Sequence, residues 1–215
     1  MIIPETEIDN LQPIVRDMFR QWAGLMYGRV RFNMPDSPIH ALGHCERVLL
    51  YALILGVEIF GDDREALEIL AHASVFHDTR RQDDYLDTGH GARAAVYYRQ
   101  FCEDNPDITF HPESVLLMRY HDLDDTLGRE AVEKDFPADV RRVGKLYDIF
   151  KDADALDRWR LGHRGLDPRF LRTPESRRLV EYARRLVGET VEPQLLASIE
   201  REVDEAIERQ RKSRE

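Results

Sequence analysis

Cysteine is nearly absent: Cys45 and Cys102 are the whole complement of a 215-residue chain, so no disulfide framework organises it. Glycine and proline are sparse, at 12 and 10 residues, and sit mostly between periodic stretches. No apolar run approaches the roughly 18–20 residues of a membrane span. The start, MIIPETEIDN, lacks the basic and long apolar segments of a secretory leader. Positive charge is in deficit, with 31 Lys and Arg against 41 Asp and Glu, a net −10 at pH 7. So acidic a surface repels phosphate backbones, which argues against general nucleic-acid binding. An anionic ligand then needs a local basic pocket. The expectation is a soluble protein of a reducing cytoplasm with no membrane partner.

What is present is a foldable core: 42% of residues are hydrophobic, enough for one domain over 1–215. No strand-like alternation lasts, and the pattern reads as helix throughout, which predicts an all-α fold. Leu11, Ile14, Val15, Met18, Trp22, Leu25 and Met26 form one stripe of a first helix. Further helices are expected near 39–59, 64–77, 90–102, 113–121, 127–134 and 138–159, with two terminal ones near 174–187 and 193–212. The Met18/Trp22/Met26 stripe reads as core, with an oligomer contact as the other option.

Eight histidines are then the informative feature. His44 shares a helix face with Val48, Ala52 and Leu55, at steps of three and four. His40 lies four residues earlier on the same side, and Arg47 borders the same face. Leu70, Ala73 and His77 line one face of the next helix, and Asp78 follows at its end. In the long helix, Tyr147, Phe150 and Asp154 recur on one side, whereas Asp148 and Asp152 fall on another. Asp157 lies close enough to Asp154 to support the same site. Buried carboxylates are costly unless paired or bound to a cation. Imidazole with carboxylate suits divalent Mn, Fe, Co, Ni or Zn. His72 reads as structural, His111 beside Pro112 as a helix-start residue, and His163 as a surface-loop residue.

Three segments carry a resemblance. HALGHCERVLLYALILG holds His44 in an H-x-x-R-V helix, LAHASVFHDTRR ends a hydrophobic helix in His77-Asp78, and FKDADALDRWR holds Asp154 in an A-D-x-L-D segment. In order and helical setting, roughly residues 35–160 resemble the HD-domain metal-dependent phosphohydrolase superfamily. That resemblance implies a compact helical bundle with a central metal, held by His44, His77, Asp78 and Asp154. Some members add two histidines between the His-Asp pair and the last Asp. His90 in GHGARAA and His121 in VLLMRYH take those positions. They are expected to bind a second ion or to hold the substrate phosphate, so one or two divalent ions, Mg included, are implied per chain.

The activity implied is hydrolysis of a phosphorylated small molecule, with a nucleotide as the expected class, by water activated on the metal. Asp78 would share in that activation. His40, Arg47, Arg80, Arg81, Arg93 and Lys145 are the candidate substrate contacts, because phosphoryl oxygens need cations around them. Where some HD nucleotidases have a carboxylate three residues after the His-Asp pair, this chain has Arg81; Asp83 and Asp84, with Asp87 behind them, are the candidate replacements. Two other readings fit the same ligands: a di-iron oxygenase of the HD fold, and a non-catalytic domain that binds a phosphorylated ligand.

Overall fold

Local chemistry starts most of the helices. A short α1 (Glu5–Asp9), not expected from the sequence, precedes α2 (Pro13–Arg29). The latter opens on proline, whose missing N–H is one that a first turn leaves unpaired in any case. Next come α3 (Leu42–Phe60) and α4 (Arg64–Phe76), the second capped by Asp63, which accepts from Ala66 N–H at 3.1 Å. α5 (His90–Asp104) and α6 (Pro112–Tyr120) follow, then α7 (Asp125–Asp135), capped by Asp124 through Thr126 N–H at 2.9 Å. α8 (Val140–Leu156) tightens into a 3-10 turn, Asp157–Leu161, instead of continuing as α-helix to Trp159. A second 3-10 turn, Pro168–Phe170, leads to α9 (Pro174–Arg178), α10 (Val180–Thr190) and α11 (Pro193–Lys212). The expected single helix near 174–187 is thus two, broken at Leu179.

The computed structural model describes residues 1–212, with side chains through 205, and holds no strand among them. The fold is all-α, as the periodicity predicts. Its centre is α3, where one buried face was expected. Instead, every residue from His44 to Leu53 is buried, as in a helix enclosed by its neighbours. α2, α4 and α8 enclose it, and α5 and α6 pack on each other beside α4. Met18, Trp22 and Met26 are core, each 3% exposed or less. Two charged residues of α3 find their partners where they sit. Glu46 accepts from the Ile2 and Ile3 N–H groups at 3.0 Å and from Tyr27 OH, which ties the N-terminus down. Arg47 is taken up by Asp157. Both cysteines are free and buried. No helix among the described residues is long and apolar enough to cross a membrane.

Candidate metal centre

Helix ends bring the site together. His44 lies in the first turn of α3, and Asp154 in the last turn of α8. His77 and Asp78 follow α4, His90 opens α5, and His121 follows α6. His44, His77, Asp78, His90 and His121 are each 7% exposed or less. The Asp154 side chain is 28% exposed, at the wall of a cavity. The approach of α5 to the end of α6 needs a glycine. A Cβ on Gly91 would lie 2.1 Å from Met118 O and 2.8 Å from His121 Nδ1.

Each of the four rings is held by Nδ1. His77 Nδ1–H donates to Ser74 O at 2.9 Å, His90 Nδ1–H to Asp87 O at 2.6 Å, and His121 Nδ1–H to Met118 O at 2.7 Å. In all three the acceptor is the carbonyl three residues earlier. At His77 and His121 that carbonyl belongs to the last turn of a helix, where carbonyls lack a helical partner. His44 uses a side chain instead, donating to Asp157 Oδ2 at 2.8 Å. Burial opposes the Asp157 charge, but Arg47 and His44 hold its pKa below the ordinary carboxylate value, so it is an acceptor only. Arg47 Nε and Nη2 donate to it at 2.6 and 3.0 Å. With Nδ1 a donor in every case, the neutral ring carries its lone pair on Nε2.

The Nε2 atoms converge. Those of His44 and His77 are 3.0 Å apart, and those of His90 and His121 are 2.9 Å apart. Asp78 lies between the pairs. Its Oδ2 is 3.5 Å from His44 Nε2, while Oδ1 is 3.0 Å from His90 Nε2 and 3.7 Å from His121 Nε2. Asp154 Oδ1 is 3.3 Å from His44 Nε2. Two nitrogens bound at about 2.1 Å to one ion lie about 3.0 Å apart at a right angle and about 3.4 Å apart in a tetrahedron. The measured separations are of that size. The sets His44/His77/Asp154 and His77/Asp78/His121, and the neighbouring His40/His44/Asp78, could each hold a metal ion.

The electrostatics favour a cation. Burial opposes the charges of Asp78 and Asp154, yet the surrounding histidines hold both carboxyls well below the ordinary range. Burial pulls His77 down to about 3, which keeps it neutral and able to ligate. At His121 burial is outweighed by Asp78 and Asp154, and its pKa is raised.

The donors open onto a cavity of 250 Å3 whose wall includes His40, Arg81, Asp122, Arg158 and Arg160. His40, a candidate substrate contact from the sequence, is a pocket residue: its Nδ1 is 3.1 Å from Asp78 Oδ2 and 3.2 Å from Arg160 Nη2. Arg81 places Nη1 3.3 Å from both His90 ring nitrogens and 3.8 Å from Asp78. The other expected contacts lie elsewhere. Arg47 is buried behind His44 and supports the ring through Asp157 rather than facing the cavity. Arg80 donates to Arg31 O at 2.6 Å and covers the Tyr97 ring. Arg93 pairs with Asp87 at 2.6 Å and braces the loop. Lys145, nine residues before Asp154, is half a revolution round α8 and about 13.5 Å along it.

The loop acids also correct the sequence reading. Asp83 is exposed and accepts from Tyr85 N–H at 2.8 Å, as a turn residue does. Asp84 accepts from Ser37 Oγ at 2.5 Å and lines a side cavity that His90 also borders. Asp152 lies off the metal face, as expected, yet it is fully buried and accepts from Arg172 N–H, Thr173 N–H and Ser176 Oγ–H at 2.8–2.9 Å.

Sequence reasoning missed Asp122, Arg158 and Arg160. Asp122 accepts from Gly89 N–H at 2.5 Å, and its Oδ1 is buried without a partner. Adjacency to His121 was the available signal. Both arginines lie in the DRWR stretch directly after the Asp154 segment. Arg160 is anchored by Ile39 O at 2.6 Å, and its buried Nη1 has no hydrogen bond but lies 3.6 Å from Asp157 Oδ2. Comparison of the chain with protein-family models, with curated proteins and with solved structures returned no match.

Proposed function

We propose that the protein is a divalent-metal-dependent hydrolase of a phosphorylated small molecule, with a nucleotide phosphate ester as the expected substrate, of the HD-domain phosphohydrolase kind. One observation carries the reading: four imidazoles, each fixed through Nδ1, turn four Nε2 lone pairs toward one another around Asp78. Facing lone pairs at 2.9 and 3.0 Å repel unless a positive charge lies between them. Two ions would be held, one by His44, His77 and Asp154 and one by His90 and His121, with Asp78 close to both sets.

Bound ions would supply positive charge to the phosphoryl oxygens and lower the pKa of a coordinated water. The chain's own part is positioning. Asp157, braced by Arg47, holds the His44 ring in one tautomer. Arg81, Arg158 and Arg160 bring positive charge to the cavity wall of an acidic protein. In the net reaction the water oxygen bonds to phosphorus and the ester P–O bond breaks. One water proton ends on the departing alcohol oxygen.

The test is phosphate release from a panel of phosphate esters with Mn, Mg, Co, Ni, Zn or Fe. Release that needs a metal, stops with chelator and is lost in His77→Ala is the expected result. No release with any metal contradicts the reading. Oxygen consumption by a chain holding two irons would replace it with the oxygenase.

A further inference from the structure

A larger cavity of 450 Å3 adjoins the metal centre and shares His121, Asp154 and Arg158 with it. Its size is that of a small-molecule site. Ala155 and Leu166 give it an apolar part, and Phe170, 76% exposed, stands in its wall. An exposed aromatic ring is commonplace alone, but here it lines a cavity that opens on the donor cluster.

The charges in this cavity divide into spent and unspent. Lys151 and Arg172 are taken by Asp125 at 2.9 and 2.7 Å, and Asp167 by Arg169 at 2.7 Å. Arg164 has only a 3.6 Å contact with Asp204, both side chains being half exposed. Arg158 forms one side-chain hydrogen bond among the described residues, Nε to Gly165 O at 2.7 Å. That bond pins the guanidinium and leaves its Nη atoms free. The loop can close on Arg158 because residue 165 is glycine: a Cβ there would lie 2.0 Å from Arg158 O.

The side cavity across the centre, of 250 Å3, differs in sign. Asp84, Asp87 and Asp122 line it together with Arg81 and Arg158; Asp87 is paired with Arg93, and the Arg81 guanidinium is committed to Tyr85 O and Asp83 O. Arg158 borders both cavities, but Arg164 lines only the larger one, so an anionic group is directed to the Arg164 side. We propose that the larger cavity receives the leaving group of the phosphoryl substrate, and that this group is planar and carries a negative charge of its own. Phe170 stacks on its plane, Arg164 meets its charge, and Arg158 stands at the junction with the phosphoryl group.

The assignment rests on the phosphohydrolase reading, and the test separates the two. Benzylphosphonate and 4-carboxybenzylphosphonate resist hydrolysis, so their binding to the Mn-loaded chain is read by calorimetry without turnover. The carboxylated compound should bind about tenfold more tightly. Arg164→Gln should reduce that preference to about twofold or less and leave benzylphosphonate affinity unchanged. Phe170→Ala should weaken both compounds about fivefold and leave methylphosphonate unaffected. Both positions are exposed, so the variants should fold. Equal affinities in the wild type, failure of either phosphonate to bind, or a preference that survives Arg164→Gln overturns the cavity assignment. If the preference is found but phenyl phosphate and 4-carboxyphenyl phosphate are not hydrolysed, the cavity stands and the hydrolase reading falls. If both esters are hydrolysed with equal KM, the reverse holds.

Discussion

Two groups of buried histidines in this molecule differ in what surrounds them. His72 and His111, with ring centroids 5.1 Å apart, lie among Trp22, Tyr98 and the core. His72 Nδ1 is 2.7 Å from Tyr98 OH, and both Nε2 atoms are buried without a hydrogen-bond partner. The nearest carboxylate is Glu68, 3.6 Å from His111 and one-third exposed. Around Asp78 the rings are buried equally well, but each is fixed by a carbonyl or carboxylate behind it and aimed at acids in front. Burial alone therefore marks a core histidine. A fixed tautomer with convergent carboxylates marks a ligand.

The largest effect that tests this contrast comes from the donors. His77→Ala or Asp78→Ala should lower phosphate release about a thousandfold or more, with helical circular dichroism retained. His72→Gln should leave metal content and release nearly unchanged. Equal losses in the two groups would erase the distinction.

Next in size is the contrast within one helix. Asp152→Ala should cost about 3–5 kcal/mol of stability, because it leaves the Arg172 N–H, the Thr173 N–H and the Ser176 hydroxyl without their buried acceptor at about 1–3 kcal/mol each, while metal binding persists in the folded fraction. Asp154→Asn should do the reverse, removing most activity at little cost to the melting temperature. The measurements are denaturant unfolding and phosphate release on the same preparations.

A smaller effect falls on the support behind His44. Asp157→Asn can turn an amide N–H toward Nδ1, which moves the ring proton to Nε2, where the ion must sit. Metal affinity should fall about 10- to 100-fold, read by competition with a chelator.

An effect of similar size belongs to the core pair. Burial pulls His72 down to about 3 from an ordinary 6.5. Between those values the unfolded chain binds a proton that the folded chain does not, so stability falls as pH drops through that window. From pH 7 to 4.5 the His72 share is about 2–3 kcal/mol. His72→Gln should flatten the unfolding free energy by that amount over this range, and an unchanged pH profile would count against the burial argument.

The sequence made the candidate ligands visible because each lies on a helix face or at a helix end. The spacing His44/Val48/Leu55 and Tyr147/Phe150/Asp154 needed only helical periodicity. It also separated Asp154 from Asp152, although it gave no hint that Asp152 anchors the start of α9. The basic wall was misread for a physical reason. Proximity in sequence to the motifs selected Arg47, Arg80, Arg93 and Lys145, but a helix or loop turns neighbours in different directions. Arg158 and Arg160 reach the cavity because α8 tightens into a 3-10 turn at Asp157, which periodicity does not encode. The split of α9 from α10 and the short α1 depend likewise on tertiary contacts.

Metal stoichiometry tests the central claim most directly. Elemental analysis after saturation with Mn and removal of free ion should give two ions per chain for the wild type and one for His90→Ala/His121→Ala. One ion in both proteins would confine the site to His44, His77, Asp78 and Asp154. No retained ion in the wild type, with any of the divalent metals, would contradict the account.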